Sequence, residues 1–167
     1  TLSDGSALPS WLTFDADTRT FSGTPLNVHL GAIDVKVTAT DSGSVGITDM
    51  FSITVTNTND APTVANEISD QAATEDSAFL YQFNSNVFAD VDAGDSLTYT
   101  ATLSDDSALP SWLTFDADTR TFSGTPLNAN VGAIDVKVTA TDSSSATVTD
   151  TFNLVVTNTN DAPTVAN

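Results

Sequence analysis

The sequence predicts an all-β protein, built as immunoglobulin-like Greek-key β-sandwiches in tandem, and three observations support this prediction. Apolar and polar residues alternate over short segments, which is the period of a half-buried strand. Turn-forming residues separate these segments, and six or seven of them fit into about 100 residues, as in a β-sandwich. Finally, residues 1–66 align without a gap on residues 102–167, with 54 of 66 positions identical. A repeat of about 100 residues has the size of a self-sufficient domain.

The complete repeat begins with segments rich in aromatic and β-branched residues. "AFLYQFN" at 78–84 and "SLTYTATL" at 96–103 predict two strands, since neither contains a helix-starting signal. "WLTFDADTRTFSG" at 112–124 predicts a hairpin in which Phe115 and Phe122 flank a polar turn.

Two longer alternating segments complete the repeat. "AIDVKVTATD" at 133–142, which also occurs at 32–41, and "TFNLVVTN" at 151–158 each place a row of large apolar side chains on one face. These side chains are Ile134, Val136, Val138, Phe152, Leu154 and Val156. We expect no helix longer than a single turn.

The recurring segment "NTNDAP" marks the domain boundary, because its proline restrains the preceding alanine to extended conformations. We place the boundary at Ala61, so that residues 1–60 are the later part of one repeat, 61–161 a complete repeat and 162–167 the start of the next. The first copy lacks a counterpart of residues 63–101, which would leave edge backbone and a core face uncovered. We therefore expect strands swapped in from a neighbouring molecule, or a chain cut from a longer one.

Composition and charge exclude several functions. The chain is 40% hydrophobic and carries 22 acidic against four basic side chains, a net charge of -18. Such a charge repels phosphate and anionic lipid, so neither nucleic acid nor a membrane is an expected partner. No apolar run is long enough to insert into a bilayer. With no cysteine and one histidine, His29, which the second repeat replaces with Asn130, neither a zinc site nor an acyl-transfer triad is expected. The chain is predicted not to be an enzyme.

Acidic residues are concentrated around the predicted linker and the strand ends. The run "FADVDAGDSLTY" places Asp90, Asp92 and Asp95 before a strand, and Asp142 ends another. The linker adds Asn57, Asn59 and Asp60, and "ATEDS" adds Glu75 and Asp76. Oxygen ligands at this density, without histidine or cysteine, favour Ca²⁺. The alternative is that these aspartates only cap backbone amides in turns.

Two other acidic runs do not predict calcium sites. An EF-hand beginning at Asp90 would need a bidentate glutamate where Ala101 stands, and its flanks would have to be helices. In "FDADTRTF", Asp116 and Asp118 are expected to cap the hairpin turn.

The run "LPSWLTFDADTRTFSGTP" at 8–25 and 109–126, the "NDAP" linkers and the "ATEDSAF" opening resemble the dystroglycan-type cadherin-like domains that occur in tandem in large bacterial surface proteins. The resemblance implies calcium at each junction between repeats. It assigns Asn57, Asn59, Asp60, Asp90, Asp92 and Asp142 to one junction. It assigns Glu75, Asn158, Asn160 and Asp161 to the next.

The sequence departs from the cadherin pattern at two points that matter for affinity. Cadherins have an Asp-Arg-Glu-type motif where this chain has Leu26-Asn27-Val28 and Leu127-Asn128-Ala129. The linker also begins with asparagine instead of aspartate. With fewer carboxylates, we expect one or two ions per junction and a dissociation constant of order 10⁻⁴ to 10⁻³ M, typical of extracellular modules.

The resemblance implies a calcium-stiffened repeat of a bacterial surface or secreted adhesin, which acts as a spacer and in adhesion at the cell surface. Its expected partners are neighbouring repeats and a second copy in a homophilic or strand-swapped dimer. The alternative is a carbohydrate-binding module in which Trp11 and Trp112 stack on polysaccharide. Against that alternative, a tryptophan at the start of a sandwich strand beside Leu113 and Phe115 is more often part of the core.

Overall fold

The computed structural model describes residues 1–163, which divide into two compact units. The first is Thr1–Thr58, and the second begins at Asn59. Helical structure in the described residues is limited to two 3₁₀ turns, Asn27–His29 and Asn128–Asn130, as predicted. None of the helices there has the length and apolarity needed to cross a membrane. The predicted start of a further repeat at 162–167 falls largely on residues 164–167, which lie outside the described part of the chain.

The first unit contains two antiparallel strand pairs. Its strands are β1 (Leu12–Asp15), β2 (Thr20–Gly23), β3 (Gly31–Thr40) and β4 (Gly46–Val55). β1 pairs with β2, and β3 pairs with β4 over ten residues.

The second unit is the sandwich that the sequence predicts. Its strands are β5 (Thr63–Val64), β6 (Gln71–Thr74), β7 (Phe79–Gln82), β8 (Phe88–Ala89), β9 (Thr98–Leu103), β10 (Leu113–Asp116), β11 (Thr121–Gly124), β12 (Gly132–Thr141) and β13 (Thr147–Thr157). One sheet has the order β6-β13-β12-β9 and the other the order β10-β11-β7, while β5 pairs with β8. β6 lies parallel to β13, and the other pairings are antiparallel.

The sequence pattern predicted these strands with small errors at their ends. The hairpin is confirmed, with Phe115 opposite Phe122 in the register. The strand predicted over 78–84 covers only Phe79–Gln82, and the strand predicted over 96–103 begins at Thr98. Flanking turns shorten both strands, which alternation alone does not reveal.

The core of the second unit lies between the two sheets. The alternating apolar residues of β12 and β13 point inward as predicted, although Ile134 is only half-buried. The side chains with at most 2% of their surface exposed include Phe83, Phe122, Val136, Val138, Ala140, Phe152 and Leu154. Phe122 contributes from the opposite sheet and packs edge-on against Phe152, with ring centroids 5.4 Å apart.

The glycine of the repeated "TFSGTP" signature lies at a close backbone contact. A Cβ atom on Gly124 would lie 1.9 Å from the carbonyl oxygen of Trp112, and one on Gly23 would lie 1.9 Å from that of Trp11. The nearby Pro126 is fully buried, and its carbonyl accepts a hydrogen bond of 2.8 Å from the Asp76 amide. The signature therefore maintains the hairpin and, in the second unit, ties it to the loop after β6.

Candidate metal centre

The loop between β8 and β9 carries three aspartates. The Asp92 amide donates to Asp90 Oδ1 at 2.8 Å, and the Asp95 amide donates to the Asp92 carbonyl at 3.2 Å. Between them Gly94 has a φ of 92°, a left-handed conformation that glycine adopts without strain. The loop is thus folded back on itself, so that acids two to five residues apart are held near one another.

Asp142 follows the end of β12, in a turn that leads to β13. Its Oδ1 accepts hydrogen bonds from the amides of Ser144 at 2.9 Å and Ala146 at 2.7 Å. These bonds confirm a turn-capping role for one oxygen of the carboxylate. The side chain is only 5% exposed, so the second oxygen is held at a defined position.

The two segments bring carboxylates together. Single oxygens of Asp90, Asp95 and Asp142 all lie within 4.8 Å of one another, and Asp92 beside them is 6% exposed. The second oxygen of Asp90, Oδ2, is buried without a hydrogen-bond partner. Like charges at such separations repel, and a buried acceptor without a donor is costly. A cation with oxygen ligands would remove both penalties, so this set of residues fits Ca²⁺.

Two of the predicted linker residues contact this cluster within the second unit. The Asn59 side-chain amide donates to Asp142 Oδ2 at 2.9 Å, and the Asp60 backbone amide donates to Asp92 Oδ2 at 2.8 Å. The hydrogen bond from Asn59 is the main cause that lowers the pKa of Asp142 below its usual value, and the amides of Ala146 and Ser144 act in the same direction. Asn57, the third predicted linker ligand, is an exposed residue of the first unit.

A second set of predicted ligands surrounds the end of β13. Glu75 is 1% exposed; its Oε1 accepts a hydrogen bond of 2.6 Å from the Thr159 amide, while its Oε2 is buried without a partner. Asn158 donates to the Thr159 carbonyl, and Asn160 to the Asp161 carbonyl. The buried, unpaired oxygen of Glu75 is the feature of this set that suits a cation.

The two sets lie at opposite ends of the four-stranded sheet. Asp142 is adjacent to the pair Thr141 and Thr147, where β13 begins, and Glu75 follows the pair Thr74 and Thr157, where β13 ends. β13 has 11 residues, and at about 3.3 Å per residue its ends are roughly 33 Å apart. The second unit therefore carries two separate clusters of oxygen ligands.

The ligand set predicted from the sequence omitted two residues that the structure adds. Asp95 belongs to the three-carboxylate cluster, and the hydroxyl of Ser143 donates to it. Asn128 donates to Asp161 Oδ2 at 2.8 Å, although its tripeptide was treated only as a departure from the cadherin pattern. The signal for Asp95 was its position in the acidic run, three residues before the start of β9, whereas the contact of Asn128 depends on the fold.

The tryptophans do not form an exposed stacking surface. Trp112 is half-buried and packs against the core of the second unit. Trp11 is also half-buried, and its ring lies 5.8 Å from that of His29. Tyr81 and Tyr99 make their ring contacts with phenylalanines of the core.

The fold and these clusters define a class of protein: an all-β, immunoglobulin-like repeat module with oxygen-rich clusters at the ends of one sheet. Comparison with known proteins assigns the chain to a particular family within this class. The family model described as Putative Ig domain matches residues 1–56 and 61–157. The chain belongs to this family.

Individual relatives agree with this assignment. The serine-rich adhesin for platelets of Staphylococcus aureus (strain USA300) is 36% identical over 154 residues, which cover 91% of this chain but only 6% of the staphylococcal protein. A structure of protocadherin gammaB7 (repeats EC3-6) covers 95% of this chain and 40% of its own, with a TM-score of 0.64 at 20% identity. Mouse cadherin-23 (EC22-24) covers 95% of this chain and 52% of its own, with a TM-score of 0.61 at 16% identity. At these identities the two structures establish the fold alone.

Proposed function

We propose that this chain is a calcium-stiffened repeat of a bacterial surface adhesin, acting as a spacer and in adhesion at the cell surface. The observation that carries the proposal is the cluster of Asp90, Asp95 and Asp142. Three carboxylates lie close together there, Asp90 Oδ2 is buried without a hydrogen-bond partner, and the first residues of the second unit, Asn59 and Asp60, donate hydrogen bonds to Asp142 and Asp92.

In this proposal Asp90, Asp92, Asp95 and Asp142 hold Ca²⁺, together with oxygens of Asn59 and Asp60. The ion supplies positive charge that allows these acids to stay close together. The segment that enters the second unit then loses freedom, because its residues are held by the same acids. Stiffness of the linker at Asn57, Asn59 and Asp60 follows from this restraint.

The set of Glu75, Asn158, Asn160 and Asp161 is proposed to serve the next junction in the same way. Its supporting observation is the buried Oε2 of Glu75. Both sets have fewer carboxylates than the cadherin pattern, which is consistent with an affinity of order 10⁻⁴ to 10⁻³ M. Such sites would be filled where calcium is millimolar.

The relationship to an adhesin for platelets supports the adhesive role and the cell-surface location. A spacer role is supported by the near-identity of the two repeats, in which 54 of 66 aligned positions match.

The dystroglycan-type cadherin-like assignment and the domain bounds 1–60, 61–161 and 162–167 are part of the same proposal. Catalysis is not proposed, since the acids lie in turns and at strand ends. The half-buried tryptophans do not favour the polysaccharide alternative.

Isothermal titration calorimetry with calcium chloride tests the metal proposal. Asp90→Asn and Asp142→Asn should each weaken binding at least about tenfold, because each replaces a negatively charged ligand by a neutral one. Asp41→Asn is the matched control. Asp41 is the repeat counterpart of Asp142 and caps the same turn, accepting from the amides of Gly43 at 2.9 Å and Val45 at 2.8 Å, but it is exposed.

The proposal predicts that Asp41→Asn binds calcium as the unmodified chain does. Equal losses in Asp41→Asn and Asp142→Asn would assign the effect to the turn and contradict a metal centre. The absence of measurable heat at millimolar calcium in the unmodified chain would contradict it as well.

A further inference from the structure

The inward face of the first unit is exposed where the same residues of the second unit are buried. Phe51 is 41% exposed, whereas its repeat counterpart Phe152 is 2% exposed. Ala39 is exposed and Ala140 fully buried. Since these pairs are identical in sequence, the difference arises from what covers them.

In the second unit the cover is the segment 61–101. Its strand β9 pairs with β12 along one edge, and its strand β6 pairs with β13 along the other. Between these edges Tyr81 packs against Phe152 with ring centroids 5.9 Å apart. Phe83 stacks on Phe115 at 6.1 Å and is itself 1% exposed.

The first unit has a cavity where this cover would insert. A hollow of about 220 Å³ is lined by residues that include Phe14, Phe21 and Val37. These are the counterparts of Phe115, on which Phe83 stacks in the second unit, and of Phe122 and Val138, which belong to the same core cluster as Phe83. A second hollow of about 330 Å³ lies over Val37, Ala39 and Ile47. The apolar face is therefore shaped for aromatic side chains placed as in residues 79–83.

The register of an incoming strand is already set in the first unit. Leu2 bridges to Val35, as Leu103 at the end of β9 pairs with Val136. The Lys36 amide donates to the Thr1 carbonyl at 3.0 Å. Thr1 and Leu2 thus occupy the positions of the last two residues of β9, and the rest of that strand would run along β3 from the amino end of Thr1.

A second copy of the chain cannot cover this apolar face with a net gain in stability. Each copy brings one covering segment, 61–101, and two faces that need it. Moving the segment onto a neighbour would expose Phe152, Val138 and their neighbours in the donor. Stability increases only if the covering segment does not have to leave another core face that it already covers.

We propose that the first unit is an acceptor for a polypeptide segment with the sequence of residues 61–101, joined to Thr1 in the register that Leu2 sets. The segment covers Phe14, Phe51 and Ile47 with its aromatic side chains and pairs with the open edge of β3. This completes the first sandwich in the same way as the second.

The test compares the 167-residue chain with a fusion in which a further copy of residues 61–101 precedes Thr1. In chelator, hydrogen exchange of the Thr38 and Thr40 amides should slow at least about tenfold in the fusion, because these amides lie on the same edge of β3 as the Lys36 amide and gain hydrogen-bond acceptors there. The binding of a hydrophobic dye should fall in parallel. Chelator keeps the result independent of the calcium centre.

Two variants of the fusion distinguish docking on the inward face from a general effect of a longer chain. Ile47→Asp places a charge on this face, where the counterpart Val148 packs against the core, and should abolish the protection. Met50→Asp adds the same charge to the opposite face of β4, at a side chain already 63% exposed, and should preserve the protection. Both wild-type side chains are largely exposed in the first unit, so neither change removes existing core packing.

Several outcomes would overturn the proposal. One is equal exchange in the fusion and the 167-residue chain, and another is equal protection in the Ile47→Asp and Met50→Asp fusions. A third is a stable dimer of the unfused chain that already protects β3, which would identify a second copy as the occupant. A peptide of residues 61–101 added in trans that protects β3 as well as the fusion does would show that the junction to Thr1 is not required.

Discussion

At the scale of single residues, aspartates that look alike in the sequence do different things. Asp116 Oδ1 accepts a hydrogen bond of 3.1 Å from the Thr119 amide, and this backbone hydrogen bond is the main cause that lowers the pKa of Asp116 below its usual value. Asp116 therefore caps its hairpin as predicted. Asp142 caps a turn with one oxygen and turns the other toward Asn59 and the acidic cluster. The cap can be predicted from local spacing, but the cluster cannot.

Gly124 carries a residue-scale prediction. Gly124→Ala should lower the free energy of unfolding of the second unit by about 1–3 kcal/mol or more, because the new methyl group would lie against the Trp112 carbonyl, which is backbone and cannot move alone. Urea denaturation of both proteins measures the change.

Gly46→Ala is the control for this substitution. The atom nearest to its added Cβ is a side-chain methyl group of Thr38 at 3.4 Å, and the second repeat has Thr147 at the same position. A similar loss in both variants would show that glycine content, and not the contact with Trp112, is responsible.

At the scale of the strands, period-2 alternation determines which face is apolar, and the register confirms it. Ile134 and Val136 on β12 lie opposite Leu154 and Phe152 on β13. The core face of β4 in the first unit has the same alternation, with Phe51, Ile53 and Val55. Alternation does not determine whether a second sheet covers that face, and in the first unit it is open.

The repeat pair Phe152 and Phe51 tests this distinction. Phe152→Ala should lower the free energy of unfolding of the second unit by about 3–5 kcal/mol, the usual cost of removing a buried phenylalanine. Phe51→Ala should cost the first unit clearly less, since Phe51 is 41% exposed and retains only part of its packing, including an edge contact with Phe21 at 5.4 Å.

Hydrogen exchange followed separately in β4 and β13 gives the two values. Equal losses would contradict the difference in burial between the repeats. In the fusion described above, the cost of Phe51→Ala should rise toward that of Phe152→Ala.

At the scale of the whole molecule, the net charge of -18 acts against any ordered arrangement of repeats. In the proposed function, calcium bound at the acidic clusters would neutralise part of this charge.

Small-angle X-ray scattering at low salt tests this effect. Removing calcium with a chelator should broaden the distribution of interatomic distances, because the linker is freed and like-charged units repel. The Asp142→Asn variant should resemble the chelated chain even with calcium present, and Asp41→Asn should not. Superimposable profiles with and without calcium would contradict a stiffened linker.

Much of the second unit could be predicted from its sequence because the relevant signals are local. The hairpin of residues 112–124, the faces of β12 and β13 and the capping role of Asp116 each depend on residues close together in the chain. The ends of β7 and β9, the proximity of Asp95 to Asp142 and the contact of Asn128 with Asp161 could not be predicted in this way. They depend on segments that only folding brings together.

A comparison of the two repeats distinguishes what the local sequence determines from what the tertiary structure determines. The sequence by itself determined the β-strand pattern, the hairpin, the tight turn at Gly124 and the acidic character of the linker, since the identical stretches adopt the same local structure in both copies. Only the tertiary structure decided that Phe152 and Asp142 are buried while Phe51 and Asp41 are exposed. Burial depends on the strands and loops packed over a residue, and in the second unit these come from residues 61–101, distant in the chain from the side chains that they cover.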